Sequence, residues 1–325
     1  MNKQNNLAYL TLLLVGLFSL FSINISAQNK VIAEAQTPSA TDKVLQNYIH
    51  ISSLSMDERR TFFNDKLSPA DRANIFKFHL AFQFVKRPNL NEQQKDLILE
   101  SISMITPDIY DEKKPQKRTD TQQQANVLEQ KIKTLFSRQE GYEIFATLGG
   151  TKEDSEILKN YQTVMSSKFS INRKESFLAL APKEKSVVMK THLALQSANR
   201  NLNKEQIQFV IEILNTLSPE LFSQQKNPVE QKKLEGNITI WQEKTLILFE
   251  AKDAFEIFYS FGGEVKKERN TSNIQTDPLC SCSNSADFFS TWQAGSHCET
   301  GGCKSRNLGC GWVTLQACTG LCYQN

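Results

Sequence analysis

Seven cysteines, the residues of this chain best suited to crosslinking or metal binding, all lie after residue 279. The runs between them are rich in Gly, Ser, Thr and Asn and supply too little apolar material for a sizeable core. The cysteine positions are Cys280, Cys282, Cys298, Cys303, Cys310, Cys318 and Cys322. A segment this small needs disulfides or a metal to hold one structure, so residues 277–325 are predicted to form a crosslinked module.

Two kinds of chemistry use clustered cysteines, disulfide formation and zinc binding. Zinc sites favour C-x2-C pairs with histidine as a further ligand, whereas the spacings here are mostly different and His297 is the only nearby histidine. The N-terminus predicts an exported chain, and the oxidising compartment outside the cytoplasm favours disulfides over free thiols. Seven cysteines form at most three disulfides and leave one thiol unpaired. Any of the seven can be the unpaired one, and the other six can pair in fifteen ways, so 105 disulfide patterns, or frameworks, are open.

The N-terminus has the three parts of a secretory signal. Lys3 precedes an apolar core at about residues 10–21, and the small residues Ser26 and Ala27 follow. We predict a signal peptide over residues 1–27, cleaved after Ala27, and a secreted or periplasmic mature protein. An uncleaved anchor is the alternative, although the apolar core is short for a membrane span.

The next 250 residues repeat themselves with a period near 113, which indicates a duplication. The matched pairs are residues 77–81 (KFHLA) with 190–194 (KTHLA), 143–145 (EIF) with 256–258 (EIF), and Gly149-Gly150 with Gly262-Gly263. We expect two helical repeats, residues 28–165 and 166–276, joined by residues 155–170. Residues 28–43 are expected to form a flexible leader, and residues 266–278 a linker to the cysteine-rich module.

Apolar side chains recur at helical spacing in both repeats, and alternating strand patterns are scarce there. Helices are predicted to start at Ser68-Pro69 and Asn91 and to stop before Pro107, whereas residues 113–124 favour a loop or a frayed helix start. The expected core residues are Ile75, Phe78, Phe82, Val85, Leu97, Ile98, Ile102, Ile105, Val188, Leu195, Ala198, Phe209, Val210, Leu214 and Leu217. The predicted fold is mostly α: two tandem all-α repeats of three or four helices each, then the small disulfide-rich module.

The helical region carries few candidate sites. His79 and His192 occupy equivalent positions, and since no HExxH or Glu-x-x-His pattern supplies further metal ligands, we expect each to pack or to cap a helix boundary. The paired glycines favour helix ends, where a glycine adopts the left-handed conformation. The alternative is that a protease cuts after Gly263 and releases all seven cysteines.

Composition and motifs exclude several functions. A formal net charge of +3 gives no electrostatic basis for binding nucleic acid. No GxSxG motif, P-loop or dinucleotide-binding glycine turn occurs. We therefore predict a protein that is not an enzyme and uses no cofactor.

The tail segments Gly309-Cys310-Gly311-Trp312 and Cys318-Thr319-Gly320-Leu321-Cys322 resemble the fulvocin C-related bacteriocin family, over the last 46 residues only. The resemblance implies an antibacterial module. It also implies one further cysteine where Phe288 or Phe289 stands here, whose former partner is the expected unpaired thiol.

The tail has no net charge, because Asp287 and Glu299 balance Lys304 and Arg306. Capture by anionic lipid is therefore a poor mechanism, and exposed apolar side chains are expected to meet a bacterial cell-surface target or a membrane interface. The candidate contact residues are Phe289, Trp292, Trp312 and Tyr323, unless they form the small core of the module. We expect a bacteriocin-like precursor; the alternative is a non-toxic secreted protein that binds a protein partner through this stabilised module.

Overall fold

The computed structural model describes most of the helical region and four short segments of the tail. The described residues are 40–111, 113–148, 152–168, 170–223, 228–262, 296–300, 306–310, 316–318 and 320–324. The predicted signal peptide and the predicted linker at 266–278 lie outside these ranges.

Helices occupy the described residues up to 262 in two successive series, which confirms the mostly α fold class. The first series is α1 Ala40–Ser53, α2 Met56–Asp65, α3 Pro69–Lys86, α4 Glu92–Met104, the 3-10 helix η1 Pro107–Tyr110, α5 Pro115–Leu135 and α6 Arg138–Phe145. The second is α7 Lys152–Met165, α8 Ser170–Ala179, α9 Pro182–Ala198, α10 Lys204–Thr216, the 3-10 helix η2 Pro219–Phe222, α11 Pro228–Leu248 and α12 Ala251–Phe258. Each series thus has six α-helices, more than the three or four expected.

The lengths of corresponding helices agree closely between the two series. They are 14, 10, 18, 13, 4, 21 and 8 residues in the first series. In the second they are 14, 10, 17, 13, 4, 21 and 8 residues. Only the third helix differs in length, and by one residue.

Local sequence signals explain several helix starts. The side chain of Ser68 accepts a hydrogen bond from the backbone N–H of Asp71, and Pro69 occupies the first turn of α3. Asn91 forms a capping box with Gln94 at the start of α4. Both predicted starts are confirmed, and α4 ends at Met104, just before Thr106-Pro107.

Three segments are more helical than the sequence indicated. The stretch expected to be a loop or a frayed start lies largely in α5, which begins at Pro115. Residues 155–170, expected to join two repeats, contain most of α7, and α1 begins at Ala40, inside the predicted leader. The domain boundary predicted between residues 165 and 166 falls at the end of α7 and stays a prediction.

The described residues divide into two compact units: those within 1–155 and 197–207, and those within 156–196 and 208–325. In the first unit, α3 contacts α1, α4, α6 and η1. Its second half is buried on nearly all sides, as expected of a central helix. Tyr48 on α1 packs edge-on against Phe78 of α3, with the ring centroids 4.9 Å apart.

In the second unit, aromatic side chains from several helices meet in the core. Phe177 of α8 lies 6.0 Å from Phe222 and 5.0 Å from Phe261, measured between ring centroids. All fifteen core residues predicted from the sequence are buried in the described helices and the residues next to them. The hydrophobic period of the sequence therefore located the core correctly.

The described part of the tail contains four short strands with nested pairing. They are β1 Ser296–Thr300, β2 Arg306–Cys310, β3 Gln316–Cys318 and β4 Gly320–Gln324. β1 pairs antiparallel with β4, and β2 pairs antiparallel with β3 between them in sequence. The pairing of β2 with β3 is irregular.

Candidate functional site

His79 lies at the centre of a buried polar cluster in the first unit. Its ring Nδ1 is 3.0 Å from the Tyr48 hydroxyl of α1, and its Nε2 is 3.0 Å from the carbonyl oxygen of Ile144 in α6. A carbonyl oxygen can only accept, so Nε2 carries the proton and donates to Ile144, and Nδ1 accepts from Tyr48. The ring therefore links α1, α3 and α6 through two directional hydrogen bonds.

The electrostatic environment keeps this imidazole neutral. Burial lowers the pKa of His79 from 6.5 to about 4, although the carboxylate of Asp154 opposes the shift. Burial also raises the pKa of Tyr48 well above its usual value, and Asp154 adds to that increase. With both ring nitrogens bonded inside the core, His79 has the geometry of a structural residue rather than of a metal ligand or a general base. The prediction that it packs is confirmed, within α3 rather than at a helix boundary.

A buried ion pair lies in the same unit. Lys86, at the end of α3, places its Nζ 2.5 Å from Oδ1 of Asp154 on α7. The two side chains are only 9% and 1% exposed. Because a single buried charge is costly, each of these residues depends on the other.

The second unit repeats the tyrosine–histidine contact. The Tyr161 hydroxyl lies 3.2 Å from Nδ1 of His192, and Tyr48 and Tyr161 each precede their histidine by 31 residues. The ring planes are inclined by 32° in both pairs. Phe261 packs edge-on against His192, with the centroids 5.1 Å apart.

A small cavity borders His192 in the second unit. Its volume is about 10 Å³, lined by Met189, Ile257 and Phe261 among others. That is room for about one water molecule, whereas pockets for organic ligands measure several hundred Å³. Within the described residues, no group of three or more His, Cys, Asp or Glu side chains is placed to hold a metal ion.

The glycine signal at the end of the second series has a different structural basis from the one expected. Gly262 adopts the left-handed conformation, with φ = 64°. However, α12 ends with Tyr259 as its C-cap, so Gly262 lies three residues beyond the cap rather than in the cap itself. Gly149, Gly150 and Gly263, the candidate processing position, lie outside the described residues.

The tail strands place some of the predicted crosslinking residues. Cys298 lies on β1, Cys310 on β2, Cys318 on β3, and Cys322 with Tyr323 on β4. The register sets Cys298 directly opposite Cys322, whereas Cys310 stands opposite Gln316 and Cys318 opposite Arg306. The remaining candidates, together with the predicted cleavage position Ala27, lie outside the described ranges: Cys280, Cys282, Cys303, Phe289, Trp292 and Trp312.

The structure also has an apolar surface that the sequence reasoning missed. Val229, Ile240 and Ile247 of α11 are 78%, 60% and 82% exposed. Their spacings of eleven and seven residues place them on one side of the helix, which we call the α11 outer face. The spacing is visible in the sequence, but the same apolar periodicity also indicates a buried face, so it does not identify an exposed one. No helix in the described part of the chain is long and apolar enough to cross a membrane.

Searches of protein-family models, of curated proteins and of solved structures find no match to the chain. Two candidate functional features remain in the described residues: the direct opposition of Cys298 and Cys322 in paired strands, and the α11 outer face. His79 and His192 are not candidates, because both are buried in the core.

Proposed function

We propose that the chain is an exported, bacteriocin-like precursor whose cysteine-rich module, residues 277–325, acts on bacteria. The observation that carries this proposal is that the cysteines and the apolar core occupy separate parts of the chain. All seven cysteines follow residue 279, whereas the helices that hold the apolar core contain none. Such a module can persist after release from its carrier, because crosslinks substitute for a core.

The helical region acts as leader or scaffold in this proposal, and it consists of two copies of one helical unit. Matching helix lengths and the recurrent tyrosine–histidine contact support the duplication. A scaffold has no need of a reactive site, which suits the enclosed positions of His79 and His192.

Growth inhibition tests the antibacterial role. The oxidised full chain from culture medium is applied to a panel of bacteria, beside the same chain after reduction and alkylation. Inhibition by the oxidised chain and its loss on alkylation are expected. If neither preparation inhibits any strain, whether intact or cut after Gly263, the antibacterial role is wrong.

A second candidate function is that of a secreted binding protein, in which the helical region supplies the surface for a protein partner. The α11 outer face favours it, because three large apolar side chains that are 60–82% exposed lie on one side of the same helix, where a partner could cover them. Mass spectrometry of the culture medium separates the candidates. An intact chain that begins at Gln28 favours the binding protein, whereas an abundant fragment that begins between Gly263 and Cys280 favours the processed bacteriocin.

A further inference from the structure

Among the described strands, cysteine faces cysteine in register at one place. β1 and β4 run antiparallel, and Cys298 and Cys322 occupy the middle of the five paired positions. Two residues on each side of each cysteine continue the same register, from Ser296 opposite Gln324 to Thr300 opposite Gly320. The juxtaposition is therefore set by a complete strand pairing rather than by a single contact.

The spacing of an antiparallel pair suits a disulfide at this position. Directly opposed residues have Cα atoms about 4.5 or 5.5 Å apart, depending on whether the pair exchanges hydrogen bonds. Disulfides span Cα separations of about 4.4–6.8 Å, so either kind of position satisfies the requirement. Directly opposed residues also share one face of the ladder, because side chains alternate along each strand.

The other cysteines on the strands lack this placement. Cys310 stands opposite Gln316, which makes Cys318 its diagonal neighbour two residues along β3. Diagonal neighbours are about 7–8 Å apart, beyond the usual reach of a disulfide, and the β2–β3 register is interrupted between them.

We propose that Cys298 and Cys322 form a disulfide bond that closes the β1–β4 pair around β2 and β3. The step consumes two thiols: a disulfide of an exchange partner, either a small molecule or an oxidoreductase, accepts two electrons and two protons and leaves as two thiols. A mixed disulfide with one cysteine forms first, and the thiolate of the other displaces the partner. The proposal rests on the proposed export only for its oxidising compartment, and not on antibacterial activity.

The bond restricts the rest of the crosslinking pattern. Five cysteines remain: Cys280, Cys282, Cys303, Cys310 and Cys318. Five choices of the unpaired thiol, each with three pairings of the other four, reduce the 105 frameworks to 15. The free thiol therefore lies on one of these five residues.

Peptide mapping without reduction tests the bond in the full chain. Free thiols are first blocked with N-ethylmaleimide at mildly acidic pH, which prevents exchange. Cleavage after Trp292, Glu299 and Leu321 then isolates residues 293–299, with Cys298, from residues 322–325, with Cys322. The two peptides are expected to elute as one linked species that reduction separates. In a chain that contains any disulfide, a link from Cys298 or Cys322 to any other cysteine, or a maleimide on either, overturns the proposal.

Thiol counting on denatured variants provides an independent measurement. Cys298→Ser and Cys322→Ser are each expected to gain one reactive thiol per chain relative to wild type, and the double variant is expected to return to the wild-type count. Cys303→Ser is the matched control, which leaves the link between Cys298 and Cys322 intact in the peptide map. If the double variant frees two further thiols, each cysteine had another partner and the bond does not exist.

One outcome separates this proposal from the proposed export. If all seven cysteines of the collected chain react with maleimide, the proposed oxidising route is wrong, and the chain is then oxidised in a buffer of reduced and oxidised glutathione. Formation of the 298–322 link there upholds the bond independently of export, and a different pairing overturns it.

Discussion

Tyr48, His79 and the Ile144 carbonyl form a hydrogen-bonded chain inside the first unit, and Tyr161 and His192 begin a similar one in the second. A neutral imidazole is well suited to this position, because one nitrogen donates and the other accepts. Its neutrality makes the stability of the first unit depend on pH.

We expect the first unit to lose stability between pH 6.5 and pH 4. The unfolded chain protonates this histidine near its ordinary value of 6.5, whereas the folded chain resists protonation until about pH 4. The unfolded state therefore binds more protons in this interval, and stability falls as the pH falls, by about 3 kcal/mol from this residue. Urea titrations followed by far-UV circular dichroism at several pH values measure the loss.

The variant His79→Gln separates this contribution from that of the carboxylates. The variant is less stable at neutral pH, but its stability should fall less steeply between pH 6.5 and pH 4 than that of wild type. His50→Gln is the control, because His50 is exposed at the end of α1. Equal slopes in wild type and His79→Gln contradict the assignment.

The Lys86–Asp154 pair gives a second prediction at this scale. Asp154→Leu leaves the buried ammonium without its partner and should cost about 3–5 kcal/mol, whereas the double variant Lys86→Met with Asp154→Leu should recover most of that loss. Lys131→Met is the control, because Lys131 and Glu100 form a pair that is 45% and 44% exposed, where a change below about 1 kcal/mol is expected. Urea unfolding of wild type, Lys86→Met, Asp154→Leu and the double variant measures the coupling free energy; additive losses contradict it.

The sequence predicted the role of His79 but not its partners. An isolated histidine on an apolar helix face indicates packing, whatever its neighbours. Tyr48, the hydrogen-bond partner of His79, lies 31 residues away in the sequence. In the ion pair, Asp154 lies 68 residues after Lys86. Neither contact belongs to the local pattern that defines a helix. Such pairs depend on how helices pack, which a single sequence does not specify.

At the scale of the helices, two glycines provide opposite tests of packing. A methyl group on Gly141 of α6 would lie 3.0 Å from Cγ2 of Ile132, whereas one on Gly236 of α11 would meet nothing within 4 Å. Alanine is favoured over glycine in helices by about 1 kcal/mol, and overpacking costs about 1–3 kcal/mol. Gly141→Ala should therefore destabilise the chain by about 1 kcal/mol, and Gly236→Ala should stabilise it by up to that amount.

Thermal and urea unfolding of the two alanine variants check this expectation. The second series carries alanine at the position equivalent to Gly141, Ala254, which is fully buried. Stabilisation of both variants would mean that helix propensity alone decides the outcome, and destabilisation of Gly236→Ala would contradict the open space beside Gly236.

Helices with strong end signals were predicted well, and the others were not. Ser68, Asn91 and Pro107 determine boundaries through local hydrogen bonds and backbone sterics, which a sequence displays directly. The polar start of α5 has no such signal and was expected to be a loop. The strands β1 to β4 were not anticipated, because three to five residues are too few for a clear alternation.

At the scale of the whole molecule, the distribution of cysteines predicts independent responses to reduction. All seven follow residue 279, and the buried helical core ends by Phe261. We expect dithiothreitol to leave the urea midpoint of the helical signal at 222 nm unchanged, because no crosslink constrains the helices. A chain that ends at Gly262 serves as the control and should unfold at the same midpoint. A shift on reduction of the full chain but not of the shortened one would show that the tail stabilises the helices.

The nested order of β1 to β4 has a consequence for the kinetics of folding. β1 and β4 are separated by 19 residues, but once β2 and β3 have paired, only the connections at 301–305 and 319 remain open between the two ladders. Because closure entropy grows with the logarithm of loop length, early pairing of the inner strands lowers the cost of bringing the outer strands together by about 1 kcal/mol. Assembly thus proceeds most rapidly from the inside outward, and the outermost contact forms last.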